Sequence, residues 1–418
     1  MWLPKTEREL IDAAKTGVLT ENATGLELKR ELAENASANK ELARDLASLA
    51  INGGALIIGV VDVSERDPGD PSTALNPVPL PGLPERVEQV ALSRCDPPLF
   101  VRCISIPSQA DPDVGYLTVQ VPPSTVAPHM VDGRYWGRGD QTKRPLNDME
   151  VVALHERRRI QDLDASGTLD AYVARDPFVE AGIEPELAHL FVVAIPRPGR
   201  SRMLLESGSG GPGWRRGLMS LIQKRANDEP RFGSKWAPDF HYATNLSTRG
   251  DGWAASSHGL SAGRHLDEGE REDNVLEIEL TEDGGCRLFC SRASDVLEPG
   301  KPTVSQVLFD ELIAGLVYRV VQLAGDIAEV SNYHGAWALG VAVTGARGRV
   351  AWLLAKNFMA TAIPYSDDEY RSLIRASSQE LQDEPGLVTD RLVGRMLRTL
   401  GTHGAPELDR YLGRRTDH

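Results

Sequence analysis

The chain has 418 residues, 41% hydrophobic and 25% charged, with 46 basic against 60 acidic side chains and a net charge of −14. This is the composition of a folded chain, and its length exceeds one ordinary domain, so two are expected. The acidic balance excludes a protein that coats nucleic acid through a general excess of positive charge. No apolar run approaches the roughly 20 residues of a membrane span. The start, Met-Trp-Leu-Pro-Lys-Thr-Glu-Arg-Glu, lacks the apolar core of a signal peptide, so a cytoplasmic protein with no membrane partner is expected. Four cysteines make no disulfide framework, and neither Cys95 with Cys103 nor Cys286 with Cys290 has Cys-x-x-Cys spacing. Buried structural thiols are the expectation.

Thr6-Glu7-Arg8-Glu9 has the form of a capping box and predicts a short helix to about residue 15. Residues 26–30 alternate apolar and charged side chains, as a half-buried strand does. Between 39 and 50, Leu42, Ala43, Leu46, Ala47, Leu49 and Ala50 recur at helical spacing. Asn52-Gly53-Gly54 then supplies residues tolerant of positive φ, and 55–63 reads as a central strand covered on both faces. A Pro-, Asp- and Gly-rich loop is expected over 65–84, a helix over 85–93, and strands over 99–106 and 116–121. A hairpin turning at Asp132-Gly133 follows. A helix from 150 to about 164 closes the first domain, assigned to 1–164, with a linker over 165–187.

The second domain, 188–418, reads as α+β of unknown type. Strands are expected over 191–196, 240–256, 274–291, 337–343 and 348–354. Helices are expected over 304–323, 367–382 and 388–400. Gly208–Gly213 lacks the Gly-Lys-Ser/Thr of a phosphate loop and reads as a linker or hairpin loop. Gly259-Leu260-Ser261-Ala262-Gly263 fits Gly-x-Ser-x-Gly, but its flanks are polar and loop-like, so a nucleophile elbow is not expected. Arg391, Arg395 and Arg398 form a stripe that reads either as a solvated face or as a partner surface.

The order Gly25-Leu26-Glu27-Leu28-Lys29-Arg30-Glu31, amphipathic helix, Asn-Gly-Gly, apolar strand with Gly59, Pro-His and Arg-x-Gly resembles the Schlafen-type AlbA domain over about 18–150. The resemblance implies a mixed α/β fold class: a Schlafen AlbA-like N-terminal domain beside the second α+β domain. It implies a nucleic-acid partner, RNA before DNA, and pairing of two copies, here as a homodimer. It also implies a carboxylate cluster of Glu21, Glu27 and Asp62, with Glu27 and Asp62 holding Mg²⁺ or Mn²⁺ for endoribonuclease chemistry on structured RNA. Such a cluster offers hard oxygen ligands and leaves room for water and phosphate. The plainer reading of the same residues is an ion pair of Glu27 with Lys29 on the strand face and Asp62 capping a loop, in a non-catalytic protein that binds nucleic acid or a nucleotide.

For binding, Lys29 is placed near a phosphate as a point charge. Arg134, Tyr135, Trp136, Arg138, Lys143 and Arg144 interleave cations with aromatics, the pattern that contacts phosphates while bases stack. His155, Arg157, Arg158 and Arg159 add positive charge beyond them. His129, following Pro128, reads as structural.

Overall fold

The structure, a computed structural model, describes residues 4–16, 19, 25–61, 71–124, 126–139, 143–197, 202–206, 213–227, 238–257, 260, 264–267, 269–296, 306–355 and 362–414. The chain is mixed α/β and divides into two compact units, 1–160 and 161–418.

Unit 1 begins with α1 (Glu7–Thr16), where the Thr6 hydroxyl accepts from the Glu9 amide at 3.3 Å and the Glu9 carboxylate accepts from the Lys5 amide at 2.7 Å. There follow β1 (Leu26–Lys29), α2 (Ala36–Leu49), β2 (Gly54–Ile58), β3 (Val78–Pro79), α3 (Leu83–Arg94), β4 (Arg102–Pro107) and β5 (Val114–Val121). A small three-stranded sheet of β6 (Met130–Val131), β7 (Arg134–Arg138) and β8 (Lys143–Pro145) leads into α4 (Asp148–Ala174). Asn35 starts α2, its side chain accepting from the Ala38 amide at 2.8 Å.

In the main sheet β1 runs parallel to β2, β2 pairs antiparallel with β5, and β3 and β4 both pair with β5. β2 is therefore central. Leu56 and Ile58 face the core built with α2 and α3, and Ala55 and Ile57 face the core beneath α1. The strand ends earlier than the apolar run suggests, because Gly59 takes φ +97° and a Cβ there would stand 2.9 Å from the Tyr116 ring. The turn before it needs both glycines: Gly53 has φ +80°, and a Cβ on Gly54 would lie 2.4 Å from the Gly25 carbonyl. Asp132 and Gly133 both have positive φ, 51° and 73°, as a two-residue hairpin turn requires.

Unit 2 places α5 (Pro177–Glu180), β9 (His189–Arg197), α6 (Met203–Glu206), α7 (Trp214–Ala226), β10 (Asn245–Arg249), β11 (Gly252–Ser256), β12 (Leu276–Thr281), β13 (Cys286–Cys290), β14 (Ser294–Val296) and β15 (Gln306–Leu308) in sequence. They are followed by α8 (Asp310–Val330), β16 (Ala336–Thr344), β17 (Val350–Ala351), α9 (Trp352–Ala355), β18 (Tyr370–Ser377), α10 (Ser378–Asp383), α11 (Pro385–Thr399) and α12 (Pro406–Asp409). Seven strands form one antiparallel sheet in the order β10-β11-β12-β13-β9-β16-β18, against which the largely buried α8 packs.

Local expectations change at several places: Gln306–Leu308, expected within a helix, form β15 before α8 starts at Asp310. Residues expected as a linker continue α4 to Ala174, and Leu169, Tyr172 and Phe178 sit in a core with Phe191 and Phe289. The helix expected over 367–382 is first a strand: β18 pairs with β16 from Tyr370↔Val343 to Ser377↔Ala336, and α10 begins after it. The stretch 348–354 holds a two-residue strand and a one-turn helix. Gly208–Pro212, His258, Gly259 and Ser261–Gly263 lie outside the described residues. Cys95, Cys286 and Cys290 are buried free thiols and Cys103 is half-buried; burial pushes Cys95 and Cys103 up to about 12. No described helix is long and apolar enough to cross a membrane.

Candidate nucleic-acid interface

Alternation along β1 decides where its charges go. Leu26 and Leu28 pack into the core beneath α1, so Glu27 and Lys29 project from the opposite face, where α2 lies. There the Arg138 Nη1 of β7 donates to Glu27 Oε2 at 2.7 Å, with the side chains 12% and 15% exposed. Lys29 Nζ pairs with Asp45 Oδ2 at 2.8 Å. Asp45, on α2, is fully buried, and its second oxygen pairs with Lys143 of β8. Lys143 also reaches Glu41 Oε1 at 2.8 Å. Burial pulls the Lys143 ammonium pKa down, but Asp45 and Glu41 outweigh it and the net direction is up. The hydrogen bond from Lys143 holds Glu41 below the usual carboxylate range, against the opposing effect of burial.

The same network reaches the hairpin. Arg44 pairs with Glu41 at 3.1 Å and lies over the Trp136 ring, 4.5 Å from its centroid, and Lys40 pairs with Asp132 at 2.9 Å. Trp136 is 9% exposed, and its indole N–H donates to the Val131 carbonyl at 3.3 Å. It belongs to the core, because one edge is bonded and one face is covered by Arg44. Tyr135 is half-buried, with its ring edge-on to His155 at 6.3 Å. His129 is buried between the Pro97 carbonyl and the Ser124 hydroxyl, both at 2.6 Å. Burial lowers its pKa, so it is a neutral structural ring that donates from Nδ1 and accepts at Nε2.

A cleft of about 790 Å³ opens beside Arg138, between the end of α2, the end of β7 and the first turns of α4. Arg138, Arg144 and Arg157 line it, over apolar contributions from Leu49, Ile51 and Leu154. Arg144 grips Glu150 with both terminal nitrogens, at 2.8 and 2.5 Å. Glu150 also completes a reciprocal cap with Asn147 at 2.9 and 3.0 Å. Arg144 first, and the Asn147 amide second, hold the Glu150 carboxyl down at about 2. Arg157 donates to the Asn52 side chain at 3.2 Å.

The residues singled out in the sequence separate as follows. Glu21 and Asp62 lie outside the described residues. Glu27 and Lys29 share a face but pair with Arg138 and Asp45, not with each other. Lys143 is engaged by Asp45 and Glu41, and Arg134 is exposed at the hairpin. Arg138 and Arg144 line the cleft; the sequence does not single out Asn52 or Glu150 as acceptors, nor the buried Asp45 that holds Lys29 and Lys143.

Among the described residues no three His, Cys, Asp or Glu side chains meet to hold a metal ion. Of the implied Mg²⁺ or Mn²⁺ ligands Glu27 is the described one, and its charge is met by Arg138. As arranged, that carboxylate does not fit a divalent cation.

The sequence matches no family model and no curated protein. Among solved structures it is similar to the DIP2311 protein from Corynebacterium diphtheriae, at 19% identity and a TM-score of 0.24. That match covers 36% of this chain and 29% of the other.

Proposed function

We propose that this is a nucleic-acid-binding protein whose first unit holds RNA, in preference to DNA, at the cleft beside Arg138. The observation that supports this reading most is the convergence of Arg138, Arg144 and Arg157 on one cleft in a chain of net charge −14. A local cluster of cations on an acidic body selects a site where a general basic surface would not. Binding is favoured over cleavage because Glu27, the described member of the carboxylate set, is occupied by a guanidinium. Arg138 would have to leave before a metal could use that oxygen.

The test is a mobility-shift titration with total tRNA, single-stranded RNA and single-stranded DNA, in chelator and in Mn²⁺. Salt-sensitive RNA binding without cleavage is expected, weakened about tenfold by Arg157→Ala, the worth of a charged hydrogen bond. Metal-dependent cleavage lost in Glu27→Gln would overturn the non-catalytic reading. No shift at low salt would overturn binding itself.

A further inference from the structure

We infer that the unit 1 cleft receives a single unpaired nucleotide, its base on the apolar floor and its phosphate between Arg144 and Arg157. This inference deepens, and rests on, the nucleic-acid reading. At about 790 Å³ the cleft falls within the roughly 300–1,000 Å³ of small-molecule sites. That is room for a nucleotide and far too little for a duplex. A surface that tracks phosphates has no use for an apolar floor, whereas a base has two apolar faces to bury on Leu49, Ile51 and Leu154.

The two arginines are already held by acceptors that a phosphate outmatches. Glu150 offers Arg144 a carboxylate in the two-pronged arrangement a phosphate also accepts, and Asn52 offers Arg157 one neutral amide oxygen at 3.2 Å. Glu150 therefore acts as an internal anion standing where a phosphate oxygen pair would stand. Arg144 is exposed and Glu150 half-buried, so the exchange is inexpensive. The ring-bearing neighbours Trp136 and Tyr135 are not among the lining residues, so the base is read by apolar contact with little sequence preference.

The same chemistry is offered by a free mononucleotide and by an unpaired nucleotide of a strand. Calorimetric titration of the full chain with inorganic phosphate, ribose 5-phosphate, AMP, UMP, a 5′-phosphorylated five-nucleotide RNA and the corresponding blunt duplex separates them. Nucleotide or single strand is expected to bind at least tenfold tighter than phosphate or ribose phosphate, with the duplex weakest. AMP binding as tightly as the five-nucleotide strand assigns the cleft to free nucleotides; a tighter strand assigns it to nucleic acid.

Glu150→Gln keeps the helix cap, since glutamine serves at that position, and frees Arg144. It should tighten nucleotide binding about two- to fivefold, the worth of an exposed ion pair. Ala153→Trp, an exposed position lining the cleft, should fill it and reduce binding at least tenfold while leaving the circular dichroism unchanged. The inference is overturned if phosphate alone binds as well as AMP, if duplex equals single strand, or if neither variant changes nucleotide affinity. RNA binding that persists in Ala153→Trp, with no mononucleotide binding, overturns the cleft and leaves the nucleic-acid reading standing. Loss of all RNA binding in the unaltered protein overturns both.

Discussion

Asp310 opens α8 with its carboxylate fully buried, where the Leu353 amide donates to it at 3.2 Å. Burial raises its pKa from the ordinary 3.8 to about 6, against the lowering effect of its hydrogen bonds. The native state therefore holds the proton more tightly than the unfolded chain, so the carboxyl's contribution is intact below pH 3.8 and is lost as pH rises to about 6. The rise corresponds to about 3 kcal/mol across the whole window, of which about 1 is already lost by pH 4.5, above the unfolded value. Asp310→Asn should thus gain about 2 kcal/mol more at pH 7.5 than at pH 4.5 in denaturant unfolding; equal gains at both would show that the buried charge costs nothing. In unit 1 the telling residue is Asp45, which satisfies two lysines from inside the core. It was legible in principle, because it stands three residues after Leu42 and four before Leu49, on the buried stripe of α2. A carboxylate on an apolar stripe signals a buried ion pair, but the partners, Lys29 and Lys143, come from two other strands, and one-dimensional periodicity does not carry that information.

The arginine stripe of α11 shows how an element's role depends on its neighbour. Read as part of a helix, Arg391 and Arg395 were a solvated face or a partner surface. In the fold they lie against β18, the last strand of the seven-stranded sheet: Arg391 donates to the Arg375 carbonyl, and Arg395 to the Arg371 carbonyl at 2.5 Å with its guanidinium 5.2 Å from the Tyr370 ring. Both carbonyls lie on the strand's outer edge, where unpaired backbone invites another chain. The missed strand and the unexplained stripe therefore have one cause, since neither can be read until β18 is known to be an edge. By contrast, Asp132-Gly133 and Asn52-Gly53-Gly54 were read correctly because backbone φ is a local property. The Arg391→Ala/Arg395→Ala double variant should lose little stability, about 1 kcal/mol for two partly exposed hydrogen bonds. It should nonetheless form larger species in light scattering at rising concentration. A variant that stays as dispersed as the parent chain would show that the edge is guarded by something other than these two side chains.

Across the whole molecule, the charge balance predicts how nucleic-acid binding responds to salt. Lys29 and Lys143 are consumed by Asp45 and Glu41, so they add little to a phosphate site although the sequence counts them as basic. The cations placed to meet a phosphate are Arg144 and Arg157, since Arg138 is engaged by Glu27 as the two lysines are by Asp45. Single-stranded nucleic acid releases about 0.7 counterions per phosphate neutralised, so the one phosphate held in the cleft gives a slope of log K against log salt of about −0.7. Raising salt from roughly 50 to 200 mM then costs about threefold in affinity. The net charge of −14 works in the other direction, since salt also screens the repulsion between an acidic protein and its polyanionic ligand, and this makes the slope shallower. A slope between about 0 and −1 in anisotropy titrations across that range is therefore expected. One steeper than about −4 would require more phosphate contacts than the cleft supplies; binding would then follow an extended surface and not a pocket that takes one nucleotide.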